Sequence, residues 1–593
     1  MKKTAAAMLL LVASLAKAQL GTITGPPFGA LSCAEAGASI PELRPESYTE
    51  LAGDIVITCS GGPPSTVGAA IPAANIVLFI EPEVPITSRF LAPNGASEVI
   101  LLIDEPGSGI TTGATGGYGP QAPQTLCTTA QQQSHANPCQ AVVGSDGSGQ
   151  YEVAVLPGTS TPAPNVFQGK IGDFGANSVV FYNVPVLPPA YQGLTRVFRI
   201  TNLRIPVAAG AIIFQVQGLI STSPSTVMPI NTQPISLGVV APATTASVNA
   251  APAGGGNPFQ ACVPRSNPAL AAQITFTEGF ATAFKTRVVP GGMANTLANT
   301  PVGSNPNYVY AAEAQNLTAP FNQNLPGGVY GGIANNSESG FIAAEASKTV
   351  LGLTYYAGLM DYGTRLKAVF TNIPAGVTVW VSTANAASYT RPGGLSLAPY
   401  AVLVAASQIQ EATSDGATFT PLAAAGTGSD GLPAYPIVPD ASGKAAAVWE
   451  VLNADPAAQD VFTFSVYVAY ASTAGTASPT NVALSFAPDP GGGTFSAANE
   501  TQGLTSPSPR FAVLSAQGGA WATIDACTVT TSGAGTACGL TTDAAPTVTQ
   551  VQSMIDQVLG IAPPTYDLNY DGVVNVADIA MVIGAAMAGR CVI

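Results

Sequence analysis

Between positions 567 and 578 the chain reads Asp567-Leu568-Asn569-Tyr570-Asp571-Gly572-Val573-Val574-Asn575-Val576-Ala577-Asp578. Oxygen-bearing side chains recur at the first, third, fifth, ninth and twelfth positions, with glycine at the sixth. Calcium is a hard cation that takes six to eight oxygen ligands, and a short loop supplies them only by winding tightly around the ion. In that scheme Asp567, Asn569 and Asp571 give side-chain oxygens from alternate positions, and Gly572 permits the sharp turn. Val573 offers its backbone carbonyl, Asn575 fills the ninth position, and Asp578 closes the site from the first turn of a following helix. An Asn/Asp-rich turn without metal is the plainer alternative, and it leaves the spacing unexplained.

Such a loop needs rigid elements on either side. After it, Ile579, Val582, Ile583, Ala586 and Met587 recur at the spacing of one apolar helix face. Val551, Met554, Ile555, Val558 and Leu559 repeat that pattern at a constant offset of 28 residues, which predicts a duplicated loop–helix unit. Either helix alone would expose its apolar stripe, and pairing buries both. This arrangement resembles the type I dockerin family, over residues 538–593. Aspartate at the twelfth position and Val574-Asn575 at the eighth and ninth favour that family over an ordinary EF-hand.

The resemblance implies a small α-helical, EF-hand-like module that binds calcium and docks onto a cohesin-type protein. Such modules often attach polysaccharide-degrading enzymes to a scaffold. It also implies that Val576 and Ala577, with Val548 and Thr549 in the first repeat, help set partner choice. The first repeat departs from the pattern: Gly539, Thr541, Asp543, Thr547 and Gln550 stand at its ligand positions, with one carboxylate among them. One calcium ion is therefore expected rather than two. Cys538 and Cys591 flank the module, and a disulfide between them would clasp its ends.

The rest of the chain reads as a scaffold that exports and displays this module. Met1-Lys2-Lys3, the apolar run Ala5 to Leu15 and Ala16-Lys17-Ala18 have the layout of a secretory signal peptide over 1–18. That run is too short to span a bilayer, and no later segment is long and apolar enough to do so. Secretion, to the extracellular space, the cell surface or a periplasm, is expected. Only 9% of the 593 residues are charged, with a formal net charge of −14, and no basic cluster of the kind nucleic acid requires is present. Eight cysteines in an exported chain favour disulfides, with Cys33–Cys59 and Cys127–Cys139 the pairings that proximity prefers.

The fold class expected is mainly β: tandem β-sandwich, Ig-like domains over 19–240 and 258–511, then the small helical module at 538–593. Linkers are expected at 241–257 and 512–537, where small residues and glycine dominate. Strands are predicted at Asp54–Cys59, Asn75–Ile80, Arg196–Ile200 and Ile212–Val216, with a hairpin turning at Asn94-Gly95. The clearest strand is Phe462–Tyr470, where Phe462, Phe464, Val466, Val468 and Tyr470 share one face. The long Asn-, Pro- and Gly-rich stretch from Pro301 to Gly340 reads as surface loops. Thr195-Arg196-Val197 leading to Thr201-Asn202-Leu203 is echoed by Thr364-Arg365-Leu366 leading to Thr371-Asn372-Ile373, a weak internal repeat whose spacing differs by one residue.

Catalysis is sparsely supported. His135 is the only histidine and lies in a polar loop, which argues against a Ser–His–acid triad and against catalytic zinc. Glycoside hydrolysis needs only two carboxylates at a set separation, for which Asp104, Glu105, Glu278, Glu338, Glu345 and Glu450 are the candidates. Glu278 is flanked by Phe276 and Phe280, an arrangement compatible with a sugar cleft but more often a strand end. Trp380, Trp449 and Trp521 read as core residues rather than as a sugar-stacking platform. The expected function is a secreted scaffold for adhesion or carbohydrate binding, attached through its dockerin-like module. The alternative is a dockerin-bearing glycoside hydrolase with its active site in a β domain.

Overall fold

The computed structural model describes residues 29–38, 40–92, 94–104, 125–134, 136, 139–145, 152–190, 193–207, 214–250, 259, 265–285, 343–350, 353–357, 363–386, 399–405, 421–454, 458–471, 477–487, 511, 517–524, 546–559, 561–562 and 574–588. The predicted mainly-β character holds. In the first region a single eleven-stranded sheet runs, in spatial order, Ser32–Gly37, Ile55–Ser60, Thr195–Thr201, Ala96–Ile103, Val166–Gly172, Gly175–Pro185, Ala73–Glu81, Gln215–Ser223, Ile235–Val240 and Glu42–Leu43, with Leu126–Cys127 pairing on Val166–Gly172. Side chains from all along this path, including Ile57, Leu78, Leu101, Phe167, Phe181, Phe198, Val216 and Leu237, meet in one core. The sheet therefore curls around its own apolar face, and a bridge from Cys33 to Ile230 draws its first strand toward the far end. This corrects the expected two-sheet Ig-like sandwich: alternation along a strand defines a buried face but does not say whether a second sheet or the same one covers it.

The outer face of the sheet is also covered. Ala96–Ile103 is buried at all eight positions, and Ile100, Leu102 and Val166 form a second small cluster with Leu91. The short helix Thr129–Gln132, inside the loop closed by the Cys127–Cys139 disulfide, packs on this side. Gln132 fastens it: its amide donates to the Cys127 and Gln168 carbonyls at 2.8 and 2.9 Å and accepts the Tyr182 N–H at 2.9 Å. Replacing Gln132 by leucine strands those three buried backbone groups, and a loss of about 3 kcal/mol in urea unfolding is expected. The predicted turn at Asn94-Gly95 is present, with Gly95 at φ 85°. A Cβ there would lie 2.7 Å from the Ile171 carbonyl oxygen, so glycine is needed for both reasons.

The second region is a sandwich. One sheet orders Thr244–Ala250, Arg265–Glu278, Val461–Tyr470, Val377–Ser382, Pro433–Ile437 and Gly426–Thr427; the other orders Tyr400–Leu403, Ala445–Asn453, Arg365–Thr371, Ala477–Ala487 and Gln517–Ile524. Their inner faces share one core, in which Trp449 stacks on Phe464 at 4.2 Å. The predicted apolar face of Val461–Tyr470 is buried at all five positions. Both expected linkers contain strands. Thr244–Ala250 pairs with Arg265–Glu278, and Gln517–Ile524 pairs with Ala477–Ala487 and buries Trp521. Small residues read as linker when they lie on a strand whose outward face is not packed.

The suspected repeat is real at the strand ends. Asn202 and Asn372 both adopt left-handed backbone, φ 63° and 60°, which asparagine tolerates. Leu203 and Ile373 then turn back into the two cores. The arginines do not correspond. Arg196 shares strand parity with the core residues Phe198 and Ile200, whereas Arg365 lies opposite the parity of Leu366, Ala368 and Phe370. The one-residue difference in spacing thus puts them on opposite faces. Pro301 to Gly340 lies outside the described residues.

Candidate functional site

The helices Val548–Val558 and Val576–Ala588 pack on each other as the 28-residue periodicity requires. Met554 and Val582, equivalent positions of the two repeats, are both fully buried at the contact, with Val551 and Ile579 beside them. The stripe is buried only in part. Leu559, Ile583 and Met587, expected on the paired faces, are exposed, and the shared contact is confined to Met554 and Val582 with Val551, Val574, Ile579 and Met581 around them.

The helix starts are equivalent as well. Thr547 accepts the Gln550 N–H, and the Gln550 side chain accepts the Thr547 N–H at 2.8 Å. Twenty-eight residues on, Asn575 Oδ1 accepts the Ala577 N–H at 2.7 Å, and Asp578 Oδ2 accepts the Asn575 N–H at 2.8 Å. The residue at the twelfth loop position thus accepts the N–H of the residue three before it in both repeats, completing a full capping box in the first and the return half of one in the second. Gln550 does so without charge; Asp578 brings a fully buried carboxylate to the positive end of its helix.

Of the expected metal ligands, Asn575 and Asp578 are described, while Asp567, Asn569, Asp571 and Val573 lie outside the described residues. The two that are described carry side-chain oxygens, the donor type a hard cation takes, and each accepts a backbone N–H at the helix start. Among the described residues no group of three or more His, Cys, Asp or Glu is gathered for a metal. The four residues expected to set partner choice lie in the first turns of their two helices, all exposed: Val548 is 86% and Val576 72% accessible, with Thr549 and Ala577 next to them in the chain. Cys538 and Cys591 lie outside the described residues. The expected pairs Cys33–Cys59 and Cys127–Cys139 are disulfides, chemistry that belongs to an oxidising compartment.

The scaffold carboxylates hold the fold. Asp104 pairs with Arg196, both fully buried, and its other oxygen accepts the Val197 N–H at 2.7 Å. Glu450 pairs with Arg365 across adjacent strands at 3.1 Å. Glu278 ends its strand with both oxygens on backbone N–H groups, Phe284 at 2.6 Å and Asp460 at 2.9 Å. Glu105, Glu338 and His135 lie outside the described residues, and Glu345 is placed on the strand Ala343–Val350. Trp449 and Trp521 are core residues as expected, and Trp380 is half-buried over Gly426.

Residue types alone did not reveal two further buried clusters. Glu98 takes the Arg204 Nε at 2.9 Å and lies 3.7 Å from Arg89. Arg44, fully buried in the first region, donates Nε to Glu50 at 2.7 Å and Nη1 to the Ala283 carbonyl and Thr364 Oγ1 of the second region at 3.1 and 3.0 Å. Its guanidinium also lies 5.0 Å from the Phe511 ring centroid. Burial pushes the Glu50 carboxyl up, but the charge and hydrogen bonds of Arg44, with Lys285 adding, reverse this and hold it below the usual carboxylate range.

No protein-family model matches the chain, and no curated protein matches it. Among solved structures it is similar to the C-terminal domain of the Streptococcus agalactiae AgI/II polypeptide BspA, at 7% identity and a TM-score of 0.23, covering 77% of this chain and 95% of that one. It is also similar to the C-terminal domain of the Streptococcus pyogenes antigen I/II-family protein AspA, at 8% identity and a TM-score of 0.20, covering 77% and 95%. A third is the CupB6 tip adhesin of Pseudomonas aeruginosa, at 9% identity and a TM-score of 0.12, covering 78% and 96%. TM-scores of this size do not define a shared fold.

Proposed function

We propose that this chain is an extracellular β scaffold for adhesion or carbohydrate binding that attaches to a partner through a calcium-dependent, dockerin-like helix pair at its C-terminus. The observation that carries the reading is that the two helical repeats, at one constant offset, share a twelfth-position side chain that accepts the N–H of the residue three before it and a buried core contact. In this reading Asp567, Asn569, Asp571, Val573, Asn575 and Asp578 hold one calcium ion, which fixes the loop ahead of the second helix. Val548, Thr549, Val576 and Ala577 form the exposed patch that meets a cohesin-type protein. Two disulfides and the buried ion pairs suit a scaffold that works outside the cell.

Calorimetric titration of the full chain with calcium tests the module. One site is expected, and Asp567→Ala is expected to weaken it at least tenfold. Indistinguishable isotherms for the two proteins would refute the site. A glycan-array and polysaccharide-hydrolysis screen of the same protein separates a binding scaffold from the hydrolase alternative, since release of reducing sugar would overturn the scaffold reading.

A further inference from the structure

Asn94-Gly95 is the one Asn-Gly dipeptide in the chain. It turns the hairpin into the strand Ala96–Ile103, closed by the Leu91 and Ala92 N–H groups on the Ala96 carbonyl at 2.8 and 3.3 Å. The sheet holds Gly95 in place, since its carbonyl accepts the Ile171 N–H at 2.9 Å. With φ 85° and the Ile171 oxygen where a Cβ would stand, position 95 admits no side chain. Asn94 is exposed, and its side chain folds back on the backbone: Oδ1 accepts the Ala96 N–H, two residues on, at 3.2 Å. Nδ2 donates to the Thr129 hydroxyl at 3.4 Å. The Gly95 N–H, between Asn94 and Ala96 in the chain, makes no hydrogen bond among the described residues.

A side-chain oxygen bonded to the N–H two residues on brings the carboxamide carbon close to the intervening peptide nitrogen, the approach that an intramolecular attack needs. We propose that Asn94 is a self-modification site, at which the Gly95 nitrogen closes on the Asn94 side chain and expels ammonia. The Gly95 nitrogen gives its proton to hydroxide and bonds to Cγ. The Cγ–Nδ2 bond then breaks, and Nδ2 leaves as ammonia with a proton from water, leaving a cyclic imide. Water reopens the imide at Cγ to give aspartate in the normal backbone, or at the Asn94 backbone carbonyl to give an isoaspartyl link through Cγ. Water is the only co-reactant, and nothing is oxidised or reduced. The Ala96 N–H sits on the oxygen where negative charge grows as the tetrahedral carbon forms, so the turn stabilises that charge without rearranging. Glycine at 95 leaves the attack unhindered. The features that make the turn therefore also make it reactive. Both products lose the Nδ2 donor to Thr129, which begins the helix Thr129–Gln132, and the isoaspartyl product also adds a backbone methylene to the turn. Because ammonia is lost, the change accumulates with the age of the chain.

Peptide mapping by mass spectrometry of the full folded chain, aged in heavy-oxygen water at neutral and at alkaline pH, tests the site. Replacement of the Asn94 amide by a carboxyl carrying heavy oxygen is expected, as aspartyl and isoaspartyl peptides that elute apart. The reaction should run on the order of tenfold faster than at Asn177 or Asn202, which precede Ser178 and Leu203, and faster at the higher pH. Asn94→Gln, whose longer side chain would have to close a larger ring, is expected to stay intact at that position. The same chain unfolded in urea is expected to react no faster than the folded one. An unchanged Asn94, an aspartyl peptide with no isoaspartyl partner, or conversion that is faster in urea than in the folded chain would each overturn the proposal.

Discussion

Arg44→Ala is expected to lower the unfolding free energy by about 3–5 kcal/mol, the range for removing one partner of a buried ion pair. Arg44 and Glu50 are both shut off from solvent, and Arg44 reaches from the first region to the Ala283 carbonyl and the Thr364 hydroxyl of the second. Without it Glu50 is left as a buried carboxylate, and two acceptors in the second region lose a donor. Much of that cost comes from the stranded charge rather than from the pair itself. The double variant Arg44→Met with Glu50→Leu should therefore recover a large part of the loss, since apolar replacements of buried pairs are often close to neutral. Urea unfolding of the four proteins in the cycle measures both quantities. If the double variant is as unstable as Arg44→Ala, the joint depends on the contacts across it more than on the desolvated charge. The pair also gives the joint an acid limit. Glu50 has a depressed carboxyl, so its contribution is present above the unfolded value near 4.5 and is lost as pH falls through the lower folded value.

Glu98→Ala is expected to cost at least as much, at the upper end of about 3–5 kcal/mol. One carboxylate serves two guanidiniums here, Arg204 through Nε and Arg89 at 3.7 Å, and it also accepts the Arg89 N–H at 2.9 Å. Its removal leaves two cations facing one another inside the first region. Glu98→Gln keeps the volume and one acceptor oxygen and should cost less. Thermal unfolding monitored by circular dichroism ranks the two, and equal melting temperatures would show that the shape and the remaining acceptor of residue 98 contribute nothing beyond the charge. Only 9% of the residues are charged, and several of the few cations are sequestered in pairs of this kind. They pin the strands and their connections rather than bind anything outside.

What was legible in the chain was local. Period-two burial marked Val461–Tyr470 because each residue of a strand reports its own face. The 28-residue repeat marked the helix pair because the same caps and the same core position recur, and it correctly brought Met554 against Val582. The neighbouring cysteines Cys33 and Cys59 stand directly opposite each other on adjacent strands, so short separation was a sound guide.

Long-range arrangement was not legible. Nothing in Arg44-Pro45-Glu46 announces that Arg44 will meet residues 283, 364 and 511, because the partners lie hundreds of positions away and are chosen by how two sheets settle on each other. The same holds for Glu278: its flanking phenylalanines favour a strand end over a cleft but do not say which backbone groups its carboxyl will meet. Whether the first region formed two sheets or one curled sheet was decided by how far its strands continue to pair and coil before the apolar face is covered, a property of the assembled sheet and of no single strand. The sequence by itself therefore determined the β character, the helical repeat, the cysteine pairs and the candidate calcium loop, all of which depend on neighbours close in the chain. The tertiary structure alone decided the curled sheet and the buried arginine clusters, including the one that joins the two regions, because charges in a core are stable only where distant partners meet them.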